Sequence, residues 1–200
     1  MRCLLCAKEL SEASLKDIVS GEDEICEECR KKFVKRKIRF EVEGVKGEAD
    51  YVYEENFSKA LIQFKECKDE ALKNIFLFEV KNRLRWKYRG RTILLMPSSE
   101  TKLKERGFHH LKEMFECTQM KILDIFEKEN NESQKERSKK EREEMIHGMH
   151  LKQGMKIPKK ILLVDDTITT GSTIKGALKC LENLDCDIRI YCISANRSWI

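Results

Sequence analysis

The strongest hydrophobic pattern in the chain is a run of apolar residues at 161–164, followed directly by Asp165 and Asp166. A short continuous run of this kind is typical of a strand that is buried on both faces. A loop rich in hydroxyl groups comes next, and after it apolar residues recur with the period of an amphipathic helix. The pattern therefore predicts a strand, a loop and a helix, with polar groups at the carboxyl end of the strand, where open α/β sheets bind ligands.

The remaining apolar positions predict further elements of an α/β fold with a largely buried sheet. Strands are predicted at 36–56 (a pair), 92–96 and 187–195, and helices at 57–86 and 111–126. The first helical stretch is broken by polar residues at 65–69, which predicts a loop between two helices. On spacing alone, Lys65 in this break is not expected to reach a phosphate.

Composition limits the class of protein. The chain has 200 residues, of which 38% are charged, and a mean hydropathy of -0.57. It contains no apolar stretch long enough to span a bilayer and begins without the apolar core of a signal peptide, so we expect a cytoplasmic protein. The net charge of +5 permits binding to nucleic acid without requiring it.

Two cysteine pairs near the N-terminus indicate a metal site. Cys3-x-x-Cys6 and Cys26-x-x-Cys29 have the spacing of a four-cysteine zinc ribbon, in which each pair offers two thiolates to one tetrahedral Zn²⁺. A segment this short and charged cannot bury a core, so the metal would supply folding energy and be structural. Redox pairs and disulfides are the alternatives, but neither explains two pairs on such a segment. We therefore predict a zinc ribbon over 1–36.

The loop after the two aspartates is suited to a phosphorylated sugar. Gly171 allows the backbone to turn so that N–H groups converge on an anion, and the helix dipole favours a phosphate there. Ionised carboxylates only accept hydrogen bonds, so Asp165 and Asp166 suit the hydroxyls of a ribose. The hydroxyl side chains of this stretch are Thr167, Thr169, Thr170, Ser172 and Thr173. This interpretation requires carboxylates that are open to a ligand rather than buried against cations.

A second candidate anion site follows the strand at 92–96. Ser98 and Ser99 precede Lys102 and Arg106, at the sheet edge where the first site is expected. The alternative is a solvated turn at the start of a helix, and physical reasoning alone does not choose between the two.

These motifs resemble those of a known family. The pattern D-D-x-x-x-T-G-x-T resembles the phosphoribosyl pyrophosphate (PRPP) motif of type I phosphoribosyltransferases, and the order of the segments resembles the ComF family of late-competence proteins. The second strand and its loop carry the family's central pattern at Leu95, Met96, Pro97, Lys102, Arg106, Gly107 and Phe108. The pair expected to follow, Asn-Gln, is His109-His110 here.

The resemblance implies a type I phosphoribosyltransferase domain over 37–200, with a parallel sheet flanked by helices. It assigns the 2′ and 3′ hydroxyls to Asp165 and Asp166, and the 5-phosphate to the loop from Thr169 to Thr173. Thr167 is also expected to bind PRPP. It implies a flexible catalytic loop near 127–150, a highly charged stretch that could otherwise be an exposed helix. It also implies that Lys102, Arg106, Ser98 and Ser99 face the pyrophosphate, and that Mg²⁺ accompanies PRPP.

Within what this resemblance implies, two functions remain open. The first is an enzyme of bacterial natural transformation, or DNA uptake, that transfers phosphoribosyl to an unknown acceptor. The second is a non-catalytic competence factor that binds single-stranded DNA, works with other competence proteins, and uses PRPP as a ligand or regulator. Candidate aromatic and basic contacts to DNA are Tyr51, Tyr53, Trp86, Tyr88 and Arg89. The alternative, which we favour for them, is packing in the core or at its rim.

Overall fold

A computed structural model describes residues 1–10, 23–128 and 148–200. Its strands are β1 (Lys35–Val42), β2 (Val45–Val52), β3 (Thr92–Leu95), β4 (Ile122–Leu123), β5 (Phe126–Lys128), β6 (Met149–Leu151), β7 (Lys160–Ile168) and β8 (Asp187–Ala195). Its α-helices are α1 (Glu27–Lys31), α2 (Glu55–Glu66), α3 (Lys81–Lys87), α4 (Glu100–Arg106), α5 (His110–Glu116) and α6 (Ser172–Leu181). Short 3₁₀ turns cover Glu70–Asn74 and Arg197–Trp199.

The main sheet has the strand order β1-β2-β8-β7-β3-β4. In the described part of the chain, β1 and β2 run antiparallel in this sheet and each of its other neighbouring pairs is parallel. Parallel strands are buried on both faces by the helices of their crossovers, and the side chains of β3 from Ile93 to Leu95 are fully buried. The expectation of an α/β fold with a mainly parallel sheet flanked by helices is confirmed.

The central strand β7 is longer than the apolar run predicts. It continues through both aspartates to Ile168, and Asp165 pairs with Cys192 of β8. On its other side, the pairing with β3 ends where Leu95 meets Val164. Among the described residues, no strand lies beside this side of β7 beyond Leu95, and this places the two aspartates at an opening in the sheet.

The prediction of a single helix over 111–126 is wrong. Helix α5 ends at Glu116, and Gln119 has a positive φ of 55°, which ends helical geometry and turns the chain. Ile122 then pairs with Ile93 in the main sheet, and Phe126 pairs with Leu151 in a separate two-stranded sheet. Ile122 and Phe126, which continue the helical period, are strand residues: Phe126 is buried in the core, and Ile122 packs against it partly buried.

The N-terminal segment packs onto the rest of the chain. The ring of Phe33 lies 5.2 Å from that of Phe57, centroid to centroid, and Arg30 donates a 2.6 Å hydrogen bond to the carbonyl oxygen of Ile75. The boundary expected between 36 and 37 falls inside β1, which begins at Lys35; the division into two domains stays a prediction.

Two further expectations concern the catalytic loop and membrane-spanning helices. The catalytic loop expected near 127–150 falls almost wholly on residues 129–147, which lie outside the described residues. Within the described ranges, no helix combines the length and the apolar character that a membrane crossing requires.

Candidate functional site

A cleft of about 490 Å³ opens at the carboxyl end of β7 and β3. This volume lies within the range of small-molecule sites. Predicted site residues that line it are Ser98, Ser99, Lys102, Arg106, Asp165, Asp166, Thr167, Thr169 and Thr173. Lining residues that the sequence did not assign to the site are Tyr53, Leu61, Lys65, Met96, Pro97, His110 and Lys128. The two predicted anion sites therefore form one cleft.

The loop after β7 leads into α6 through a left-handed glycine. Gly171 has a φ of 75° and precedes the first residue of the helix, a conformation in which other residues are strained. Among the described residues, the backbone N–H groups of Gly171 and Thr173 have no acceptor, so they remain available to an anion. Thr170 and Ser172 do not line the cleft, and their side-chain hydroxyls bond to each other at 3.0 Å.

Trp199 supports this loop from behind. Its indole Nε1 donates a 2.6 Å hydrogen bond to the carbonyl oxygen of Thr169. Its ring would lie 3.4 Å from a Cβ atom built on Gly171, and it packs against Phe40 with centroids 5.5 Å apart. The C-terminal turn and β1 therefore hold the loop in place.

Asp166 departs from the expectation that both acids are open. It is 8% exposed, and its Oδ2 atom accepts hydrogen bonds from Lys65 Nζ at 2.7 Å and from His110 Nε2 at 2.8 Å. Burial raises the pKa of Asp166, but these two partners outweigh it and hold the pKa well below its usual range. Only one oxygen is used: within the described part of the chain, Oδ1 of Asp166 has no partner.

Asp165 has a different environment. Its Oδ1 atom accepts a 2.9 Å hydrogen bond from the backbone N–H of Asp166, and its carboxylate forms no ion pair with the described residues. Burial, together with the negative charge of Asp166, raises the pKa of Asp165 to about 8. Each aspartate thus keeps one carboxyl oxygen for a ligand.

Arg106 lies at the cleft but its guanidinium is committed to the protein. It is 6% exposed and donates to the carbonyl oxygen of Lys65 at 2.8 Å, to His110 Nδ1 at 2.9 Å and to Glu66 at 3.3 Å. Lys102 differs, because it is exposed and its ammonium group forms no hydrogen bond or ion pair with another described residue. The geometry favours a positioning role for Arg106 and leaves Lys102 available to a ligand.

Lys65 is the residue whose role the sequence missed most clearly. It lies in the last turn of α2, and its ammonium group lines the cleft as well as bonding to Asp166. An ammonium has three donors, so two remain after the bond to Asp166. Its side chain comes from 101 positions earlier in the chain than Asp166, and no local spacing reports such a contact.

The four N-terminal cysteines form the second candidate site. The sulfur atoms of Cys3, Cys6, Cys26 and Cys29 all lie within 4.8 Å of one another. Four sulfurs about 2.3 Å from one ion would be about 3.8 Å apart, and the Cys6 and Cys26 sulfurs are 3.6 Å apart. The cluster therefore fits a tetrahedral metal ion.

Comparison with known proteins agrees with this geometry. The phosphoribosyl transferase domain family matches residues 112–198. This part of the chain, which contains β7 and the two aspartates, is therefore similar to a phosphoribosyltransferase domain. The chain is also similar to Competence protein ComFC of Streptococcus pneumoniae (strain ATCC BAA-255 / R6), with 30% identity over 139 residues, which cover 70% of this chain and 63% of that protein. Competence protein ComFC of Bacillus subtilis (strain 168) is 28% identical over 133 residues, which cover 66% of this chain and 55% of that protein.

The resemblance expected from the motifs is confirmed, and the chain spans less than two thirds of the length of these relatives. The match to the phosphoribosyltransferase domain includes β7, the two aspartates and the loop from Thr169 to Thr173. It begins after His110, so the cleft residues Lys65 and Lys102 lie outside the matched residues.

Proposed function

We propose that this protein binds PRPP in the cleft and transfers the phosphoribosyl group to a nitrogenous acceptor, releasing pyrophosphate. One observation carries the proposal. The unused carboxyl oxygens of Asp165 and Asp166 lie at the same cleft as the unused N–H group of Thr173, so the site offers acceptors for a diol beside donors for a phosphate.

The assignment of ligand groups follows from charge. The loop from Thr169 to Thr173 would hold the 5-phosphate with its N–H groups and the dipole of α6. The aspartates would accept hydrogen bonds from the two ribose hydroxyls. The leaving pyrophosphate is the most negative part of PRPP, and the cleft's remaining cations, Lys65, Lys102 and Lys128, suit it.

The chemical step replaces one bond at C1 of the ribose. The C1–O bond to pyrophosphate breaks, the acceptor nitrogen forms a bond to C1, and the acceptor loses a proton. The ribose becomes oxocarbenium-like as the leaving group departs. The ammonium groups of Lys65 and Lys102 would stabilise negative charge on pyrophosphate as it develops, which lowers the barrier.

The proposed metals have separate roles. Mg²⁺ supplied with PRPP would neutralise part of the pyrophosphate charge. Zn²⁺ in the four-cysteine cluster would be structural, because four thiolates close its coordination.

Release of pyrophosphate tests the enzymatic proposal. Purified protein would be incubated with PRPP, Mg²⁺ and a panel of nitrogenous bases and amines, and pyrophosphate would be measured. Release that depends on one acceptor supports transfer. Binding of PRPP without release for any acceptor would support a ligand role for PRPP and remove the enzymatic half of the proposal.

Single-stranded DNA binding is the second candidate function, in keeping with the competence names of the relatives. The side chain of Trp86 on α3 is 74% exposed, and Arg85, Lys87 and Arg89 beside it are exposed as well. Exposed aromatic and basic side chains form stacking surfaces for single strands. Tyr51 and Tyr88, by contrast, are 0% and 5% exposed and belong to the core.

We predict that Trp86→Ala weakens salt-dependent binding to an oligothymidylate by about tenfold, since stacking of one base contributes about 1–3 kcal/mol. Fluorescence anisotropy at several salt concentrations would measure it. The variant that combines Asp165→Asn with Asp166→Asn should bind this oligonucleotide with the same affinity as the unchanged protein. Equal affinity of Trp86→Ala and the unchanged protein would contradict a role for this surface.

A further inference from the structure

Four residues at the cleft form a closed ring of hydrogen bonds. Arg106 donates through Nε to the carbonyl oxygen of Lys65 at 2.8 Å and through Nη1 to His110 Nδ1 at 2.9 Å. Lys65 Nζ and His110 Nε2 both meet Oδ2 of Asp166, at 2.7 Å and 2.8 Å. The ring joins the ends of α2 and α4 and the start of α5 to the central strand β7.

The ring determines where the proton of His110 lies. A guanidinium can only donate, so Nδ1 of His110 must accept from Arg106 and carries no proton. The remaining proton is therefore on Nε2, where it is donated to Asp166. Burial lowers the pKa of His110 to about 4, despite the opposing effect of Asp166, and a neutral ring is consistent with the hydrogen bonds.

The ring of hydrogen bonds restrains the carboxylate of Asp166. Two donors from different helices fix Oδ2, so rotation of the carboxylate is restrained, and Oδ1 is the oxygen that remains without a partner among the described residues. We propose that His110 is a positioning residue: it holds Asp166 so that Oδ1 is presented to a hydroxyl of the bound ribose. This inference rests on the proposed function, because it concerns the same ligand.

The alternative is that His110 only fills the core. Both roles predict some loss of stability when the side chain is removed, because 5% exposure leaves little of it in water. They differ in ligand binding. A positioning residue affects PRPP through Asp166, whereas a residue that only packs affects folding and leaves the affinity of the folded protein unchanged.

Three substitutions separate these roles. The amide of His110→Gln has an oxygen that can accept from Arg106 and an N–H₂ group that can donate to Asp166, so we expect PRPP affinity within about threefold of the unchanged protein. His110→Leu removes both bonds and should weaken PRPP binding about tenfold or more. His110→Asn keeps polarity, which protects folding, but is too short to reach both partners, and should also weaken binding.

The measurement is calorimetric titration of PRPP with Mg²⁺ into each variant, after circular dichroism has shown that it is folded. Asn183→Leu is the control, because Asn183 is an exposed polar residue outside the cleft lining; it should bind PRPP as the unchanged protein does. In an Asp166→Asn background the additional effect of His110→Leu should largely disappear, since the two residues act together.

The PRPP affinities of these variants support or overturn the positioning role of His110. Weak binding by His110→Leu and His110→Asn with rescue by His110→Gln supports it. It is overturned if the unchanged protein and all three variants bind PRPP alike, or if the effect of His110→Leu is the same with Asn at 166. If the unchanged protein does not bind PRPP, the proposed function fails and the positioning role fails with it. Nitrogen NMR of the free protein separately tests the ring: protonated Nδ1 on His110 at neutral pH would contradict it.

Discussion

At the scale of single residues, two adjacent aspartates have opposite environments. Asp166 is stabilised as an anion by Lys65 and His110, whereas Asp165 faces the charge of Asp166 and forms no ion pair within the described ranges. An ionised Asp165 is therefore costly to the folded protein. A site that keeps an acidic group in such a position sacrifices stability, and a ligand that donates hydrogen bonds to it would recover part of the loss.

This environment predicts a pH-dependent stability. With a pKa of about 8 in the folded protein and an ordinary value when unfolded, Asp165 binds an extra proton in the folded state between roughly pH 4 and pH 8. Stability from this group is therefore present at low pH and is lost as the pH rises through about 8. Asp165→Asn removes the effect, so we expect it to stabilise the protein, and more at pH 9 than at pH 5.

Urea unfolding at several pH values measures the effect. Between pH 6.5 and pH 8, the difference in unfolding free energy between Asp165→Asn and the unchanged protein should grow with pH, by at most about 1.4 kcal/mol for each pH unit. The titration of His110 does not affect this window. Because its pKa is lowered in the folded protein, its contribution to the stability of the protein is lost only as the pH falls below about 6.5. A difference that stays constant with pH would show that Asp165 is not perturbed.

At the scale of elements, the loop from Thr169 to Thr173 depends on the C-terminal turn. Trp199 holds the carbonyl oxygen of Thr169 and packs against Gly171. The sequence predicts the loop itself, because a buried strand, a glycine and a helix follow one another along the chain. It does not predict the support, since Trp199 is distant in sequence and no pattern near the C-terminus reports what its ring contacts.

We predict that Trp199→Ala loosens this loop and weakens PRPP binding about fivefold to tenfold. The N–H groups of a loosened loop must be ordered again when the phosphate binds, and this ordering costs binding free energy. Trp199→Phe keeps the packing but loses the hydrogen bond and should be intermediate. Calorimetric titration with PRPP measures both. Trp86→Ala is the control, since it removes an exposed tryptophan that does not line the cleft. Full affinity in Trp199→Ala would show that the loop is rigid without its support.

The N-terminal cysteine cluster is the other element with a testable role. The sequence predicts it from spacing, but not that the segment around it shares the core of the chain. Ile25 and Phe33 are 2% and 3% exposed, and the rings of Phe33 and Tyr51 are 6.3 Å apart. Loss of the metal should therefore affect more than the N-terminal ribbon.

We predict about one zinc ion per chain by metal analysis, and a lower melting temperature after chelation or in Cys26→Ser. The fall should be about 2–4 °C for each kcal/mol of packing that is lost. Cys67→Ser is the control, because Cys67 is exposed and lies outside the cluster. An unchanged melting temperature after the metal has been removed would show that the ribbon contributes nothing to the stability of the sheet.

At the scale of the whole molecule, the sequence predicts what is local and misses what is brought together by folding. The α/β class, the two buried strands and their shared sheet edge follow from periodicity. The false helix at 111–126 shows the limit of that method, because two short strands and a turn at Gln119 can imitate a helical face. Lys65 and His110 were missed as site residues because their contacts with Asp166 are long-range.

The same long-range contacts change how the site is understood. The expectation that both aspartates are open to a ligand holds for Asp165 only, since Asp166 is paired with Lys65 and His110. Pairing of a buried acid with a cation usually removes it from ligand binding. Here both donors use Oδ2, and the cleft retains one oxygen from each acid. The proposed site is therefore a wall of fixed polar groups rather than two independent carboxylates.

Calorimetric titration of PRPP with Mg²⁺ tests the central claim most directly. The unchanged protein should bind about one PRPP per chain, and Asp165→Asn combined with Asp166→Asn should bind none detectably while its circular dichroism is unchanged, because the acceptors for the ribose hydroxyls are weakened. Glu182→Gln combined with Asp185→Asn, an equal change of charge at exposed positions outside the cleft, should bind normally. Equal PRPP affinity in all three proteins would contradict the account.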